Sequence, residues 1–256
     1  MLHNYHTHTA RCNHASGTDR EYVEQAIENG LKTLGFSDHA PYIFPNGQYP
    51  SDHRMRVDEL FEYAKSIRSL AKEYEKDIRI LCGFELEYYP DYHTDEMTFL
   101  RQIKPDYLIL GQHFLGNEYS LLSSSRSLAG NDLGLVAYVS QVIAGLSTGD
   151  FTYLAHPDVA GRSFSPEVIE REYRRLCRAA KRFGVPLEIN LLGLRSKRHY
   201  PSETFFRIAA EEGNQVVFGT DAHDPHDVCD KESEALALKM VKTLKLNLIE
   251  KLAVPD

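Results

Sequence analysis

Short apolar runs alternate with longer amphipathic segments along the whole chain, and this alternation limits the possible folds more than any other feature. A short opening run at residues 2–6 is followed by six strand-like runs, at residues 31–37, 78–85, 106–113, 151–156, 185–190 and 215–221. Each run precedes a polar stretch and, in most cases, a segment with helical spacing. Strands that are apolar nearly throughout are typical of a parallel sheet covered by helices.

The segments between the runs carry helix signals. Apolar residues within 57–74 recur at steps of three or four, which predicts one buried face of a helix. Thr18 and Glu21 have capping-box spacing, and Ser165 and Asp224 each precede a proline at an expected first helical position. We therefore expect seven strand–helix repeats, arranged either as an open doubly wound sheet or as a closed barrel.

The carboxyl end of every predicted strand carries a potential metal ligand or a hydrogen-bonding residue. In chain order these are His6, His8 and His14, then His39, Glu85, His113, His156, Asn190, and finally Asp221 and His223. In a barrel these ends meet at one mouth, whereas the outer strands of an open sheet would lie too far apart to share a site. The pattern favours a barrel of about seven strands, formed by a single domain over residues 1–256.

The types of side chain at these ends indicate metal binding. His6 and His8 flank one residue of a strand, so their imidazoles point to the same face, as a chelating pair requires. One such histidine alone is more often structural than a ligand, but nine His, Glu and Asp residues at consecutive strand ends indicate a shared site. Histidine and carboxylate ligands without cysteine suit Zn(II), Mn(II) or Fe(II), and a carboxylate can bridge two ions.

Charge and composition exclude several classes of protein. The net charge of -8 argues against nucleic-acid binding through phosphate neutralisation, so an anionic substrate would need local cations. No apolar run approaches the roughly 20 residues of a membrane helix, and the first residues lack the apolar core of a secretory signal. The four cysteines form no CxxC pair, which favours a reducing cytoplasm. The oligomeric state is not indicated.

Seven short motifs, in order along the chain, resemble those of the PHP (polymerase and histidinol phosphatase) superfamily of metal-dependent phosphoesterases. They are HTHT at 6–9, CNHA at 12–15, SDHAP at 37–41, GFE at 83–85, GQH at 111–113, AHPD at 155–158 and TDAH at 220–223. CNHA, SDHAP and GLRSKRHYP at 193–201 are most similar to the histidinol-phosphate phosphatase branch. The resemblance implies a distorted (β/α)7 TIM-like barrel with its metal site at the carboxyl ends of the strands.

The resemblance also implies three divalent ions (Zn, Mn or Fe) and a residue for each ligand position. His6, His8, Glu85 and Asp221 would hold the first ion. Glu85 would bridge to a second ion, which His113 and His156 complete, and His14, His39 and His223 would hold the third. Gln112 stands where a serine is commoner in the family, and it alters no ligand.

The implied reaction is hydrolysis of a small phosphorylated metabolite, L-histidinol phosphate, to L-histidinol and phosphate in histidine biosynthesis. A metal-bridging hydroxide would attack phosphorus in line, with Glu85, Asp221 and His223 as the catalytic group. Asp221 and His223 are alternative proton donors to the leaving group. Arg162 and Arg195 resemble residues that bind the substrate phosphate, Arg11 and Arg198 are weaker candidates for that role, and Asp38 is expected to orient His39.

Other functions remain open at this point. A PHP phosphoesterase could instead act on a nucleotide, a cyclic phosphodiester, a sugar phosphate or phosphotyrosine. A non-catalytic metal-binding PHP module and a metal-dependent amidohydrolase are further alternatives, although Glu85 stands where an amidohydrolase typically has a bridging lysine. The long irregular stretches 40–55 and 115–131 favour a covered pocket and a small substrate.

Overall fold

The computed structural model describes residues 1–44, 51–118 and 124–254. Within these residues eight parallel strands form one sheet in the order β1 to β8. The strands are β1 His3–Asn4, β2 Thr33–His39, β3 Arg79–Leu86, β4 Tyr107–Leu110, β5 Tyr153–Leu154, β6 Leu187–Asn190, β7 Gln215–Gly219 and β8 Asn247–Leu248. Neighbours in sequence are neighbours in the sheet, as successive strand–helix repeats require.

Eight α-helices are described around the sheet. They are α1 Asp19–Glu28, α2 Leu60–Glu73, α3 His93–Leu100, α4 Asp132–Leu146, α5 Pro166–Phe183, α6 Leu191–Arg195, α7 Glu203–Glu212 and α8 Lys231–Leu244. In the described parts of the chain, none of these helices combines the length and the apolar character needed to cross a bilayer.

The sheet curls so that the residues after β1 meet those after β7. Thr7 and Ala222 form an isolated parallel bridge, and the amide of His8 donates to the carbonyl of Ala222 at 2.9 Å. The short strand β8 pairs with β7 at its other end, where Asn247 lies opposite Gln215. The predicted α/β TIM-like fold is therefore confirmed, but the sheet has eight strands rather than about seven, because the apolar pattern did not predict β8.

A small apolar cluster fills the interior of the barrel, separate from the larger core between sheet and helices. It includes Tyr5, Tyr107 and Ile109 from the strand region, together with Leu252 and Val254 from the C-terminal segment. The hydroxyl of Tyr5 accepts a hydrogen bond from the amide of Leu252 at 3.2 Å. This segment closes the amino-terminal end of the barrel with apolar side chains, which leaves the carboxyl ends of the strands for polar groups.

The predicted helix starts are confirmed. The Thr18 hydroxyl accepts from the amide of Glu21, and the Glu21 carboxylate accepts from the amide of Thr18 at 2.6 Å. Ser165 precedes Pro166 at the first position of α5, but its side chain donates to Asp132 and makes no capping hydrogen bond, whereas Asp224 caps a short 3-10 helix. Within the two predicted cavity loops, residues 45–50 and 119–123 lie outside the described residues.

Candidate metal centre

The nine predicted ligands gather at the carboxyl ends of the strands. Neighbouring imidazole rings have centroids 4.2–5.1 Å apart for the pairs His6–His8, His8–His39, His8–His223, His14–His223 and His113–His156. Residues more than 200 positions apart, such as His14 and His223, become direct neighbours because β1 and β7 meet where the sheet closes.

Glu85, near the end of β3, lies at the centre of this group. Its Oε2 atom is 3.5 Å from Nε2 of both His6 and His8 and 3.0 Å from Nδ1 of His39. Its Oε1 atom is 2.7 Å from Nε2 of His156 and 3.7 Å from Nε2 of His113. The two oxygens of one carboxylate thus face two different sets of imidazoles, which is the arrangement that a bridging ligand needs.

A glycine makes room for this carboxylate. A Cβ atom added to Gly111, just after β4, would overlap with Oε1 of Glu85. Gly111 therefore allows Glu85 to lie between the strands at the centre of the group.

Asp221 completes the first set of ligands. Its Oδ1 atom is 3.2 Å from Nε2 of His8 and 3.6 Å from Nε2 of His6, and its Oδ2 atom accepts from Asn190 at 3.0 Å. A tetrahedral zinc site with bonds of about 2.0–2.1 Å separates neighbouring ligand atoms by roughly 3.3 Å. The observed separations of 3.2–3.6 Å match the spacing of atoms that share one cation.

Unpartnered nitrogen atoms support this fit. Nε2 of His6 and Nε2 of His8 are buried and have no hydrogen-bond partner among the described residues. A buried imidazole nitrogen without a partner is costly unless it binds something else, and both atoms face the carboxylates of Glu85 and Asp221. The residues present therefore fit a divalent cation.

His14, His39 and His223 form the outer part of the centre. Nδ1 of His14 lies 2.7 Å from the carbonyl of Cys12, and Nδ1 of His223 lies 3.1 Å from the carbonyl of Asp221. These contacts leave the two Nε2 atoms facing each other at 3.0 Å. Ligand atoms of His8, His39 and His223 also lie within 4.8 Å of one another, so a further cation could be held here.

Buried carboxylates orient several of these imidazoles from behind. Glu188 of β6 lies 2.7 Å from Nδ1 of His6 and accepts from the amide of His156 at 2.9 Å. Glu87 lies 3.2 Å from Nδ1 of His113. Such partners fix the ring orientation and the tautomer of a metal-binding histidine.

The sequence analysis did not single out Glu188 or Glu87, although a signal was present. Each stands two residues from an identified residue, Asn190 or Glu85, in the same strand region and therefore on the same face. A Cβ atom on Gly219 would overlap with the Glu188 carboxylate, so this glycine makes room for it.

Asp38 is placed differently from the expectation. Its carboxylate accepts a hydrogen bond from the hydroxyl of Thr9 and lies 3.5 Å from Nδ1 of His8. Its contact with His39 is through the backbone amide of that residue, at 2.9 Å. Asp38 therefore lies beside the ring of His8 rather than that of His39, although Nδ1 of His8 has no hydrogen-bond partner among the described residues.

Two of the candidate ligands have unusual backbone conformations. His156 has a φ of 26° and Asp221 a φ of 48°, in the left-handed region that favours glycine. Such a residue costs about 1–3 kcal/mol and persists only where its surroundings hold it. The backbone of His156 is bound by Glu188, and that of Asp221 accepts from Arg195 and lies against Nδ1 of His223.

The charges at the centre are strongly coupled. Burial alone would lower the pKa of His6 and His8, but the carboxylates around them raise the pKa of His6 well above its ordinary value and that of His8 to about 9. Burial would raise the pKa of Glu85 and Asp221, yet the imidazoles hold both well below the ordinary range. Burial lowers the pKa of His223 to about 3, so its ring stays neutral. A bound cation would replace the protons on His6 and His8.

A cavity of about 430 Å³ opens above this centre. Its apolar wall comes from Phe114, Val159, Leu192 and Tyr200, and its polar part includes Glu85, Asp221 and four of the candidate ligand histidines. Glu87 and three residues with cationic or imidazole side chains, namely His53, Arg54 and Arg198, also line it. The volume suits a small molecule, since ligand cavities commonly measure about 300–1,000 Å³.

The two arginines predicted to bind phosphate are not among the described residues that line this cavity. Arg162 is exposed at the surface. Arg195, the last residue of α6, lies 3.2 Å from Asp227 and 3.1 Å from Asp230, and it donates to the carbonyls of Thr220 and Asp221. Its charge is therefore already paired, and its position behind Asp221 suits support of that backbone.

Arg198 takes the position that was expected for Arg195. It lines the cavity, and its guanidinium donates to the hydroxyl of Tyr200 at 2.6 Å. Within the described parts of the chain Arg198 forms no ion pair with a carboxylate. Arg11, the other weaker candidate, is paired with Asp19 and Glu62 instead.

The fold and the site define a class: a parallel α/β barrel with a histidine- and carboxylate-lined centre for divalent cations at the carboxyl ends of its strands. Residues 4–191 match the family described as "PHP domain". The chain belongs to the PHP domain family.

Curated relatives and a solved structure are similar to the chain over most of its length. The histidinol-phosphatase of Bacillus subtilis is 28% identical over 252 residues, which cover 87% of this chain and 94% of the relative. The "Probable histidinol-phosphatase" of Deinococcus radiodurans is 29% identical, over 90% of each chain. Histidinol phosphate phosphatase of Lactococcus lactis, solved with zinc, L-histidinol and phosphate, shares the fold with a TM-score of 0.76 at 19% identity, over 97% of this chain and 95% of that one.

Proposed function

We propose that this protein is a metal-dependent phosphomonoesterase that hydrolyses L-histidinol phosphate to L-histidinol and phosphate. The observation that carries the proposal is the group of nine His, Glu and Asp side chains around Glu85 beneath a cavity of about 430 Å³. Membership of the PHP family and similarity to named histidinol-phosphatases over 87–90% of the chain support the choice of substrate.

Three divalent ions, of zinc, manganese or iron, are part of this proposal. His6, His8, Asp221 and Glu85 would hold one, Glu85, His113 and His156 a second, and His14, His39 and His223 a third. When bound, such ions supply a Lewis acid for phosphoryl oxygens and a source of hydroxide at neutral pH. They also neutralise a substrate charge that the acidic chain would otherwise repel.

The chain itself would bind and orient the substrate. Arg198 offers a planar fork of donors for a phosphate group. The wall formed by Phe114, Val159, Leu192 and Tyr200 suits the carbon skeleton and flat ring of a small amphipathic alcohol. Asp221 and His223 line the same cavity, but both are proposed metal ligands, the pKa of Asp221 is held well below its ordinary range and that of His223 is lowered to about 3. Their proposed role is therefore to hold the ions, and neither is expected to donate the proton to the departing alkoxide.

A phosphate-release assay tests the substrate. Purified protein loaded with Zn²⁺ or Mn²⁺ is given histidinol phosphate, a sugar phosphate, a nucleotide and an aryl phosphate. We expect kcat/KM for histidinol phosphate to exceed the others by about a hundredfold or more, because a site built for a substrate's polar groups rejects compounds that lack them. Equal, slow rates on all four would refute this substrate. No phosphate release by metal-loaded protein would favour a non-catalytic module.

A pair of variants tests the role of Arg198. Arg198→Gln should lower kcat/KM for histidinol phosphate by about tenfold to a hundredfold, because a charge-assisted contact of about 1.5–3 kcal/mol is lost. Its metal content should stay at the wild-type value, and Arg162→Gln should match the wild type in both measurements. Unchanged kinetics in Arg198→Gln would show that the phosphate is held elsewhere.

We also propose a cytoplasmic location. Cys12, Cys82, Cys177 and Cys229 are all free, which suits a reducing compartment. A fractionation experiment that found the protein outside the cytoplasm would contradict this.

A further inference from the structure

Arg54 is a buried arginine in the segment between β2 and α2, and its side chain is only 3% exposed. Its Nη2 atom lies 3.0 Å from Oε2 of Glu87, and its Nε atom donates to Oε2 of Glu118 at 2.7 Å. Nη1 donates to the carbonyl of Ala40 at 2.9 Å. Both carboxylates are buried as well, and a buried charge that loses its partner costs several kcal/mol.

The contacts of Arg54 continue into the candidate metal centre through Glu87. One oxygen of this carboxylate, Oε2, contacts Arg54, and the other, Oε1, lies 3.2 Å from Nδ1 of His113. Nε2 of His113 in turn lies 3.7 Å from Oε1 of Glu85. The Glu87 carboxylate is therefore held at both oxygens, and its orientation determines that of the imidazole.

Arg54 also joins segments that border the cavity. Ala40 follows β2, and Glu118 follows β4. The hydroxyl of Ser51 donates to Glu118, and the side chain of Asn13, next to His14, donates to the carbonyl of Arg54 at 3.0 Å. The guanidinium thus joins the chain after β2, β3 and β4, and the backbone of the same residue contacts the chain after β1.

We propose that Arg54 is a positioning residue for the His113 side of the metal centre and that it acts through Glu87. Without the guanidinium, Glu87 would keep a buried negative charge whose other neighbours are His113 and Glu85, and its carboxylate would turn. The orientation of His113 would then no longer be fixed. This inference rests on the proposed metal centre but not on the identity of the substrate.

A double-mutant cycle on metal binding tests this inference. Zn²⁺ affinity is measured by competition with a chromophoric chelator for the wild type, Arg54→Met, Glu87→Gln and the double variant. Glu87→Gln should lower the affinity for one bound Zn²⁺ equivalent. Arg54→Met should lower the affinity for that same equivalent, by about tenfold to a hundredfold. In the Glu87→Gln background the same substitution should change that affinity by less than about threefold, because residues that act through one another are not additive.

A matched control lies two residues away. Arg56 is exposed and pairs with Asp58, so Arg56→Met should bind Zn²⁺ as the wild type does. If Arg54→Met does not fold, the same cycle is run with Arg54→Lys, which keeps the charge but cannot reach both carboxylates and the Ala40 carbonyl together.

The inference is overturned if Arg54 substitution weakens Zn²⁺ by the same factor in both backgrounds. It is equally overturned if the Zn²⁺ affinity changes by less than about threefold in the wild-type background. The cycle needs no phosphate substrate, so these outcomes are distinct from failure of the proposed activity. A protein that shows the expected coupling but does not hydrolyse histidinol phosphate would refute the function and keep the inference.

Discussion

Replacing Glu85 by glutamine should remove metal from two positions at once. Glu85→Gln keeps the size and shape of the side chain and removes one negative charge. The two carboxylate oxygens face different imidazoles, with His6, His8 and His39 near Oε2 and His113 and His156 near Oε1. A single substitution therefore acts on both sides of the centre.

The size of the effect follows from the distances. Glu85 oxygens lie 2.7–3.7 Å from the five imidazole nitrogens, so a cation bound by those nitrogens would lie within about 4 Å of the carboxylate. A unit charge pair at 4 Å contributes about 4 kcal/mol at an effective dielectric constant of about 20. Loss of the charge should therefore lower the affinity for each of the two ions by about three orders of magnitude or more.

Metal analysis by mass spectrometry after gel filtration measures this loss. Glu85→Gln should contain about two equivalents fewer than the wild type and should have no measurable turnover. Glu73→Gln, an exposed glutamate paired with Arg20, is the control and should retain the full metal content. A full metal complement in Glu85→Gln, or the loss of only one equivalent, would refute the bridging role.

Three further predictions concern the support of the centre and of the fold. Glu188→Gln should weaken Zn²⁺ binding, measured by calorimetry, by about tenfold to a hundredfold, because Nδ1 of His6 loses its carboxylate partner; unchanged affinity would contradict this. Burial raises the pKa of Glu96 from 4.5 to about 8, so the folded protein keeps a proton that the unfolded chain releases. The free energy of unfolding therefore falls as the pH rises through this window, by up to about 5 kcal/mol. In metal-free protein, Glu96→Gln should therefore raise the melting temperature relative to the wild type by several degrees more at pH 8.5 than at pH 4. An equal difference between the two proteins at both pH values would contradict the shifted pKa. Leu252→Ala should lower the free energy of unfolding by about 2–4 kcal/mol in denaturant titrations without changing the metal content, because Leu252 is buried inside the barrel; a loss below about 1 kcal/mol would contradict this packing.

The parts of the fold that could be predicted from the sequence are those with a repeating local signal. The apolar runs predicted β2 and β3 closely because both strands are long and buried on both faces. Strand β8, Asn247–Leu248, has two residues and is half exposed, so it gives no apolar run to recognise. Its pairing depends on β7, and a local pattern does not carry that information.

Most of the candidate ligands could be predicted because they lie at or just after the end of a strand, where the topology fixes their position; His14 is the exception, since it follows a short 3-10 helix after β1. The arginines lie in segments without such a constraint. Arg195 and Arg198 are three residues apart, and helix α6 ends at Arg195, so its side chain meets Asp227 and Asp230 while Arg198 reaches the cavity. Sequence spacing does not reveal where a short helix ends within a loop.

Arg54 had no sequence signal at all. It stands in a polar stretch where an exposed side chain is the ordinary expectation. Its burial depends on Glu87 and Glu118, which come from two other segments of the chain. Such a long-range charge cluster becomes visible only when the segments are placed in space.

A crystal structure of zinc-loaded protein, with anomalous data collected at the zinc absorption edge, tests the central claim most directly. We expect anomalous peaks within about 2.0–2.2 Å of Nε2 of His6 and of His8, with Glu85 bound to two different peaks and His156 and His223 bound as well. A map in which His6, Glu85, His156 and His223 share no ion with any other member of the group would contradict the proposed centre and the function built on it.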